Sequence, residues 1–417
     1  DMSDVVAQGA LQRLSEELAG RYGKKVLIFL DEYDTPMQEA YINGYWDEFT
    51  GFMRSLFNAT FKTNPYLERA IMTGITRVSK ESVFSDLNNL TVITTTSDQY
   101  ADCFGFTEEE VFKTLDQFGM SDKKQIVKQW YDGFSFGPFK DIYNPWSITN
   151  YLKEKKLRPY WASTSSNGLI SKLLQSASAN MKTQLEELLN GKQIIVNFDE
   201  QIIFGQLEQD ENAVWSLLVA SGYLKVEEIE YKGMTLEPWY HLAVTNLETI
   251  SMFSNMFKGW FATASANYNE FIKAMLGGNV KAMNLYMNDI ALATFSSFDV
   301  GKHFSQRSQP ERFYHGFVLG LLVEVRDLYE IRSNRESGYG RYDVMLIPKT
   351  KENDGIILEF KVKESEEKTL EETVQTALAQ IESKKYDAEL LELGVSKEHI
   401  RHYGFAFEGK KVLIGQK

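Results

Sequence analysis

Two periods of hydrophobicity run through the chain, one of about 3.6 residues that marks helices and one of about 2 that marks strands. Residues 3–20 carry the first, with Leu11, Leu14 and Leu18 aligned and stop signals at Gly20 and Gly23. The apolar stretch Lys25–Leu30 predicts a buried strand of a parallel sheet, ending in Asp31-Glu32. A helix from Pro36 to about Phe61, a turn at Asn64-Pro65 and a second strand, Arg69–Thr73, follow. Thr107-Glu-Glu-Glu reads as a capping box, because the Thr hydroxyl and the third Glu can each satisfy a backbone N–H of the first turn. From Asn144 the pattern is mainly helical, and the apolar faces around Trp146, Trp161 and Leu169–Leu174 read as core. Glu211–Gly222, Tyr223–Glu230, Lys232-Gly233 and Trp239–Ala243 predict helix, strand, wing and strand, and residues 246–300 a helical connector. Ser, Gly, Gln and Pro gather over Phe298–Pro310 and mark a boundary.

Beyond that boundary the pattern sharpens. Pro310–Asp327 predicts a helix with Phe313, Phe317, Leu321 and Val325 on one stripe and Glu311 and His315 four apart on a face. Two strands, Tyr342–Pro348 and Ile356–Val362, flank a short polar turn. Thr369–Tyr386 predicts a helix opened by Thr369, with Glu371 and Glu372 in its first turn and Gln380 on its inner half. A strand at His402–Phe407 follows. In the strand Ile356–Val362, alternation puts Ile357, Glu359 and Lys361 on one face, so a mostly apolar strand points a carboxylate and an ammonium the same way. A hairpin centred near Glu352 would set Asp343 opposite Lys361 and diagonal to Glu359.

Two adjacent carboxylates repel unless a cation lies between them, and a hard divalent ion with oxygen ligands answers that need. With a lysine two residues on, the parts suit metal-assisted phosphodiester hydrolysis. The plainer alternative is a surface hairpin with a cross-strand ion pair, worth little in stability.

Composition narrows the classes. At 43% apolar and 13% aromatic residues over 417 positions the chain builds cores, most simply in two or three domains. A single cysteine, Cys103, excludes an intrachain disulfide and fits a reducing cytoplasm. No apolar run approaches the roughly 18 residues of a membrane span, and the start shows no signal-peptide pattern and no initiator Met, which points to a fragment. The net charge of −13 argues against a general nucleic-acid binder, because neutralising phosphates takes clustered Lys and Arg.

The strand ending in Asp31-Glu32 resembles a Walker B segment, in which the Asp holds nucleotide Mg²⁺ and the Glu activates water. Thr73 and Arg77, at the edge where α/β sheets place ligands, stand where a phosphate sensor would. The alternative is a capped strand followed by a loop. No Gly-x(4)-Gly-Lys-Ser/Thr occurs, so the cradle for the β- and γ-phosphates is missing from this stretch of chain.

The segments Val-Leu-Ile-Phe-Leu-Asp-Glu-Tyr-Asp-Thr-Pro (26–36), Thr-Gly-Ile-Thr-Arg-Val-Ser (73–79), Trp-Tyr-Asp-Gly-Phe (130–134), Ile-Leu-Glu-Phe-Lys (357–361) and Ala-Gln-Ile-Glu-Ser-Lys-Lys-Tyr (379–386) resemble a bacterial family of AAA-ATPase-like proteins that end in a PD-(D/E)XK nuclease-like domain. The resemblance implies an α/β protein in four parts. These are a partial P-loop ATPase-like core over 1–143, a helical and winged-helix region over 144–245, a helical connector over 246–305 and a restriction-endonuclease-like domain over 306–417. It implies metal ligation by Asp343 and Glu359, a catalytic Lys361, an auxiliary Glu311 and an orienting Gln380, although Gln380 and Tyr386 lie six apart where many members space that pair by four. Asp31, Glu32, Thr73 and Arg77 would face nucleotide. The cofactors implied are Mg²⁺ or Mn²⁺, and ATP only in a full-length form carrying the P-loop. DNA would be the substrate, the location cytoplasmic without a membrane partner, and the assembly a homo-oligomer. A second function stays open: an NTP-regulated switch whose nuclease-like domain only binds. The predicted winged helix carries no Arg or Lys over Glu211–Leu218, so protein packing is expected of it rather than DNA reading.

Overall fold

The computed structural model describes residues 3–417 except 63, 76–86, 88–89, 163–167, 201–209, 261–264, 295–315, 322, 338–339, 365 and 409–410. The chain divides into two compact units, Asp1–Leu173 with Gln193–Thr249, and Leu174–Lys192 with Ile250–Lys417.

In the first unit the N-terminal amphipathic stretch forms two helices, α1 (Asp4–Gln8) and α2 (Ala10–Tyr22), the latter ended by Gly23 in the left-handed region at φ 64°. Strand β1 (Val26–Leu30) lies parallel to β2 (Leu67–Met72), with α3 (Thr35–Asn43) and α4 (Trp46–Phe57) between them in sequence. The expectation of a strand buried on both faces is not met: Leu27 and Phe29 are 57% and 70% exposed, because among the described residues only the face of Val26, Ile28 and Leu30 is covered. The capping box at Thr107 and Glu110 opens α5 (Glu108–Gln117) as expected. Helix α6 (Lys124–Tyr131) and a small sheet of β3 (Phe106–Thr107), β4 (Phe134–Phe136) and β5 (Phe139–Tyr143) precede α7 (Pro145–Glu154), which Asn144 caps.

Glu248 ties these parts together. It is fully buried and accepts hydrogen bonds from the Ser147 hydroxyl at 2.8 Å and from the backbone amides of Tyr160 and Trp161 at 2.7 and 2.8 Å. A separate sheet of β6 (Ile194–Val196), β7 (Leu224–Lys232) and β8 (Glu237–Val244) holds α10 (Asn212–Ala220), which is buried from Ala213 through Val219. A helix enclosed along its length offers no face to a DNA groove.

Helices α8 (Gly168–Ser176) and α9 (Ala179–Leu189) lead into the second unit, where α11 (Leu247–Trp260), α12 (Ser265–Leu276) and α13 (Val280–Thr294) precede a five-stranded sheet. Its strands are β9 (Tyr329–Ser337), β10 (Gly340–Pro348), β11 (Gly355–Val362), β12 (Ile400–Glu408) and β13 (Lys411–Gln416), side by side in that order. Only β11 and β12 run parallel, joined through α15 (Leu370–Lys384) and α16 (Asp387–Glu392). Residues 316–321 form part of helix α14.

One face of the sheet packs Met345, Ile347, Ile357 and Ala406 against Leu378, Ile381, Tyr386 and Leu390 of the α15–α16 layer. The other is aromatic: Phe360 stacks on Phe405 at 4.6 Å, Phe271 packs edge-on to Phe405, and Phe317 packs tilted against both. Side-chain amides cover the outer edge of β13. Asn284 and Asn288, one turn apart on α13, each donate to and accept from the backbone of Ile414 and Val412 at 2.8–3.0 Å. These four bonds satisfy an edge that would otherwise be open to strand addition. No helix among the described residues is long and apolar enough to cross a membrane.

Candidate functional site

The ladder between β10 and β11 pairs Leu346 with Ile356, Met345 with Ile357 and Val344 with Leu358. One step further along the same register, Asp343 comes opposite Glu359. This corrects the expected pairing of Asp343 with Lys361 by two residues, because β11 already starts at Gly355 and the turn is therefore centred one residue earlier than Glu352. A shift of two leaves every side chain on its own face. The three groups therefore still converge, but with the carboxyl groups adjacent instead of diagonal.

Asp343 Oδ2 accepts the Phe360 amide at 2.7 Å. Glu359 is only 2% exposed; its Oε1 accepts from Gln380 Nε2, while its buried Oε2 has no hydrogen-bond partner among the described residues. Burial, together with the neighbouring Asp343 carboxylate, pushes the Glu359 carboxyl up to about 8, and Lys361 offsets this only in part. Burial likewise pushes Asp343 up to about 6. The pair holds on to protons that free carboxyl groups would lose.

Gln380 reaches Glu359 because α15 lies close on the sheet. Gly404 is the β12 neighbour of Glu359, and a Cβ there would stand 3.0 Å from the Val374 carbonyl oxygen and 3.1 Å from Ala377 Cβ. The six-residue spacing from Gln380 to Tyr386 has a local cause as well. Helix α15 ends at Lys385 in the left-handed region at φ 54°, and the chain folds back so that the buried Tyr386 hydroxyl accepts from Gln380 Nε2 at 3.1 Å. Glu311 lies outside the described residues. Among the described residues no cluster of three or more His, Cys, Asp or Glu forms a metal cage. What the site offers is two adjacent carboxyl groups, one with a buried acceptor oxygen that no donor among the described residues meets, which is the donor chemistry of a hard divalent cation.

In the first unit, Thr73 follows β2 and its hydroxyl donates to Asp31 Oδ1, while the Glu32 amide donates to Thr73 Oγ1 at 3.1 Å. The two predicted segments thus meet at the C-terminal edge of the parallel pair. Glu32 itself is in the left-handed region at φ 49°. Sequence reasoning missed Asp34, which is 1% exposed and accepts the Ile75 amide at 3.1 Å. Its signal was Gly74, where a Cβ would fall 2.7 Å from Asp34 Oδ1 and from the Tyr33 ring. Arg77 lies outside the described residues.

Comparison with known proteins finds similarity to two family models. Residues 309–417 match the family model of the PD-(D/E)XK nuclease superfamily, and residues 2–84 match that of the predicted AAA-ATPases, in the order expected from the sequence. A protein of Azotobacter chroococcum mcd 1, described as an uncharacterized protein in the vnfD 5' region, is 26% identical over 227 residues. That alignment covers 54% of this chain and 41% of the relative, so the chain spans under half the length of the relative it matches. No solved structure matches.

Proposed function

We propose that the second unit is a divalent-metal-dependent nuclease that hydrolyses DNA phosphodiesters. In the full-length protein it would be coupled to an AAA-type ATPase module to which Asp31, Glu32, Thr73 and Arg77 contribute. The observation that carries this reading is the register: Asp343 beside Glu359, Lys361 on the same face, and a Glu359 oxygen buried without a donor among the described residues. Asp343 and Glu359 would hold Mg²⁺ or Mn²⁺, which when bound stabilises charge on a phosphate and makes a coordinated water more acidic. The chain's own groups prepare for it. Gln380 donates to Glu359 Oε1, so Oε2 would be the oxygen open to a cation, while the Phe360 amide donates to Asp343 and fixes its orientation. Lys361 offers an ammonium to the attacking water or to a phosphate oxygen. Both carboxyl groups must lose their protons to ligate, so cation binding releases protons near neutral pH.

The test is cleavage of plasmid and of labelled single- and double-stranded DNA with Mg²⁺ or Mn²⁺. Metal-dependent cutting absent from Glu359→Ala and Lys361→Ala supports the reading, and cutting that persists in both variants refutes it. A second reading is an NTP-regulated switch whose nuclease-like unit only binds; the net charge of −13 and the enclosed helix α10 favour it. Calorimetry separates the two, because a switch has no need of Mg²⁺ or Mn²⁺ at Asp343 and Glu359. The sequence also supports a cytoplasmic, homo-oligomeric assembly, which light scattering on a full-length chain would test.

A further inference from the structure

Helix α9 lies between two stretches of the first unit in sequence, yet the segment Leu174–Lys192 that contains it belongs to the second. Its sequence shows two stripes at helical spacing. Met181, Leu185 and Leu188 form an apolar stripe and are all buried, as packing requires. Lys182, Glu186 and Asn190 stand four apart and form a polar stripe beside it. Lys182 and Glu186 are nevertheless only 1% and 5% exposed. Charged side chains are rarely taken that far out of water, because their desolvation is costly, unless they hold a particular partner.

Those partners can be named. Lys182 Nζ donates to the Gln175 carbonyl at 2.8 Å and ties α9 to α8. Glu186 Oε2 accepts from the Ser333 hydroxyl, and Asn190 Nδ2 donates to the Ile331 carbonyl at 3.3 Å. Both Ser333 and Ile331 lie on β9, the outermost strand of the sheet on that side. What β9 does for the site follows from the two ladders of β10. Toward β11 the ladder covers Val344–Leu346, whereas toward β9 it runs from Gly340 to Pro348. The backbone that carries Asp343 is therefore held in the sheet chiefly by β9, and Ser333 pairs with Val344, the next residue along. Ser333 and Val344 point to the face opposite Asp343, so α9 braces that strand from behind without covering the carboxyl groups.

We infer that Glu186 and Asn190 are positioning residues of the nuclease-like site: they fix β9, and through its ladder the stretch of β10 that sets Asp343 beside Glu359. The working site then begins at α9, well ahead of residues 309–417 that match the nuclease model. This rests on the nuclease reading for what is positioned, though not for the brace itself. A cation shared by two carboxylates needs both within about 0.5 Å of their places, so a loosened β10 loses affinity before it loses its fold.

The test uses the full chain, with Mn²⁺ affinity by calorimetry and hydrogen exchange of the Val344 and Met345 amides as readouts. Glu186→Ala should weaken Mn²⁺ binding about tenfold and speed exchange at Val344 by about as much. Glu186→Gln keeps an acceptor for Ser333 and should stay within about twofold of wild type. Asn190→Ala, at an exposed position, should move both readouts the same way by about threefold, and it decides the matter if Glu186→Ala does not fold. The control is Asn284→Ala with Asn288→Ala, which loosens the opposite edge of the same sheet and should leave Mn²⁺ affinity within about twofold. Unchanged affinity in Glu186→Ala and Asn190→Ala overturns the proposal. So does an equal loss in the control, which would make α9 a general support for the sheet. If the wild type binds no Mn²⁺, the nuclease reading fails by itself, and exchange at Val344 still decides whether α9 holds β10.

Discussion

Substituting Glu359→Gln should make the metal-free second unit more stable at pH 8 while destroying its response to metal. The folded carboxyl is raised from 4.5 to about 8, so between those values the folded state binds a proton that the unfolded chain has released. Stability therefore falls as pH rises through that window. At about 1.4 kcal/mol per unit, the ionised, 2% exposed Glu359 costs the wild type roughly 4 kcal/mol by pH 8. Glutamine does not ionise. Its oxygen can keep the Gln380 bond, and its new N–H₂ faces Asp343, which loses its like-charged neighbour; part of the gain is offset by fitting that amide into a site shaped for a carboxylate. The expected result in chelator is near-equal stability at pH 4.5 and a gain of about 2–4 kcal/mol at pH 8. Hydrogen exchange of the Ile357 and Leu358 amides reads this unit alone, which is needed because a chain of two units does not unfold in one step. Saturating Mg²⁺ should raise the wild type's protection and leave the variant unchanged. A variant no more stable than wild type at pH 8, or equally favoured at both pH values, would refute the account of the pair as a buried, proton-retaining cation site.

Three further outcomes are expected. Asn284→Ala with Asn288→Ala removes four bonds to the edge of β13, at about 1 kcal/mol each, and opens that edge. Faster exchange of the Val412 and Ile414 amides and concentration-dependent self-association by light scattering should follow, and an unaltered edge would contradict it. Glu248→Ala leaves the Tyr160 and Trp161 amides without their acceptor in a buried site and should cost at least about 3 kcal/mol in urea denaturation of the first unit, against about 1 kcal/mol if the carboxylate were incidental. Asp132 is 6% exposed, and burial, reinforced by Asp141, pushes its carboxyl up to about 7. The first unit should therefore lose stability as pH rises from about 4 to 7, on the order of 3 kcal/mol, and Asp132→Asn should flatten that slope.

What could be read in advance follows from which features have a period. The faces of β11 were legible because alternation depends on strand identity alone, so Glu359 and Lys361 stayed together even though the partner of Asp343 was misplaced. Pairing is set by where a turn closes, and nothing in Lys349–Asp354 marks its centre, since any of several polar residues can occupy such a turn. Helix caps were legible for a similar reason: Thr107 with Glu110 and Thr369 with Glu372 satisfy their first-turn amides through local chemistry that needs no tertiary partner.

The features that escaped notice are those whose meaning lies in a distant neighbour. Gly404 matters because of Val374 and Ala377 on α15, and Asp34 because of Ile75, 41 residues away. Both are common residue types in unremarkable surroundings. The candidate site thus splits along a physical line. The groups that would meet the phosphate sit on one strand face and declare themselves by alternation, whereas the groups that would orient them sit on the helix above, where the sequence carries no index of which strand residue each one faces.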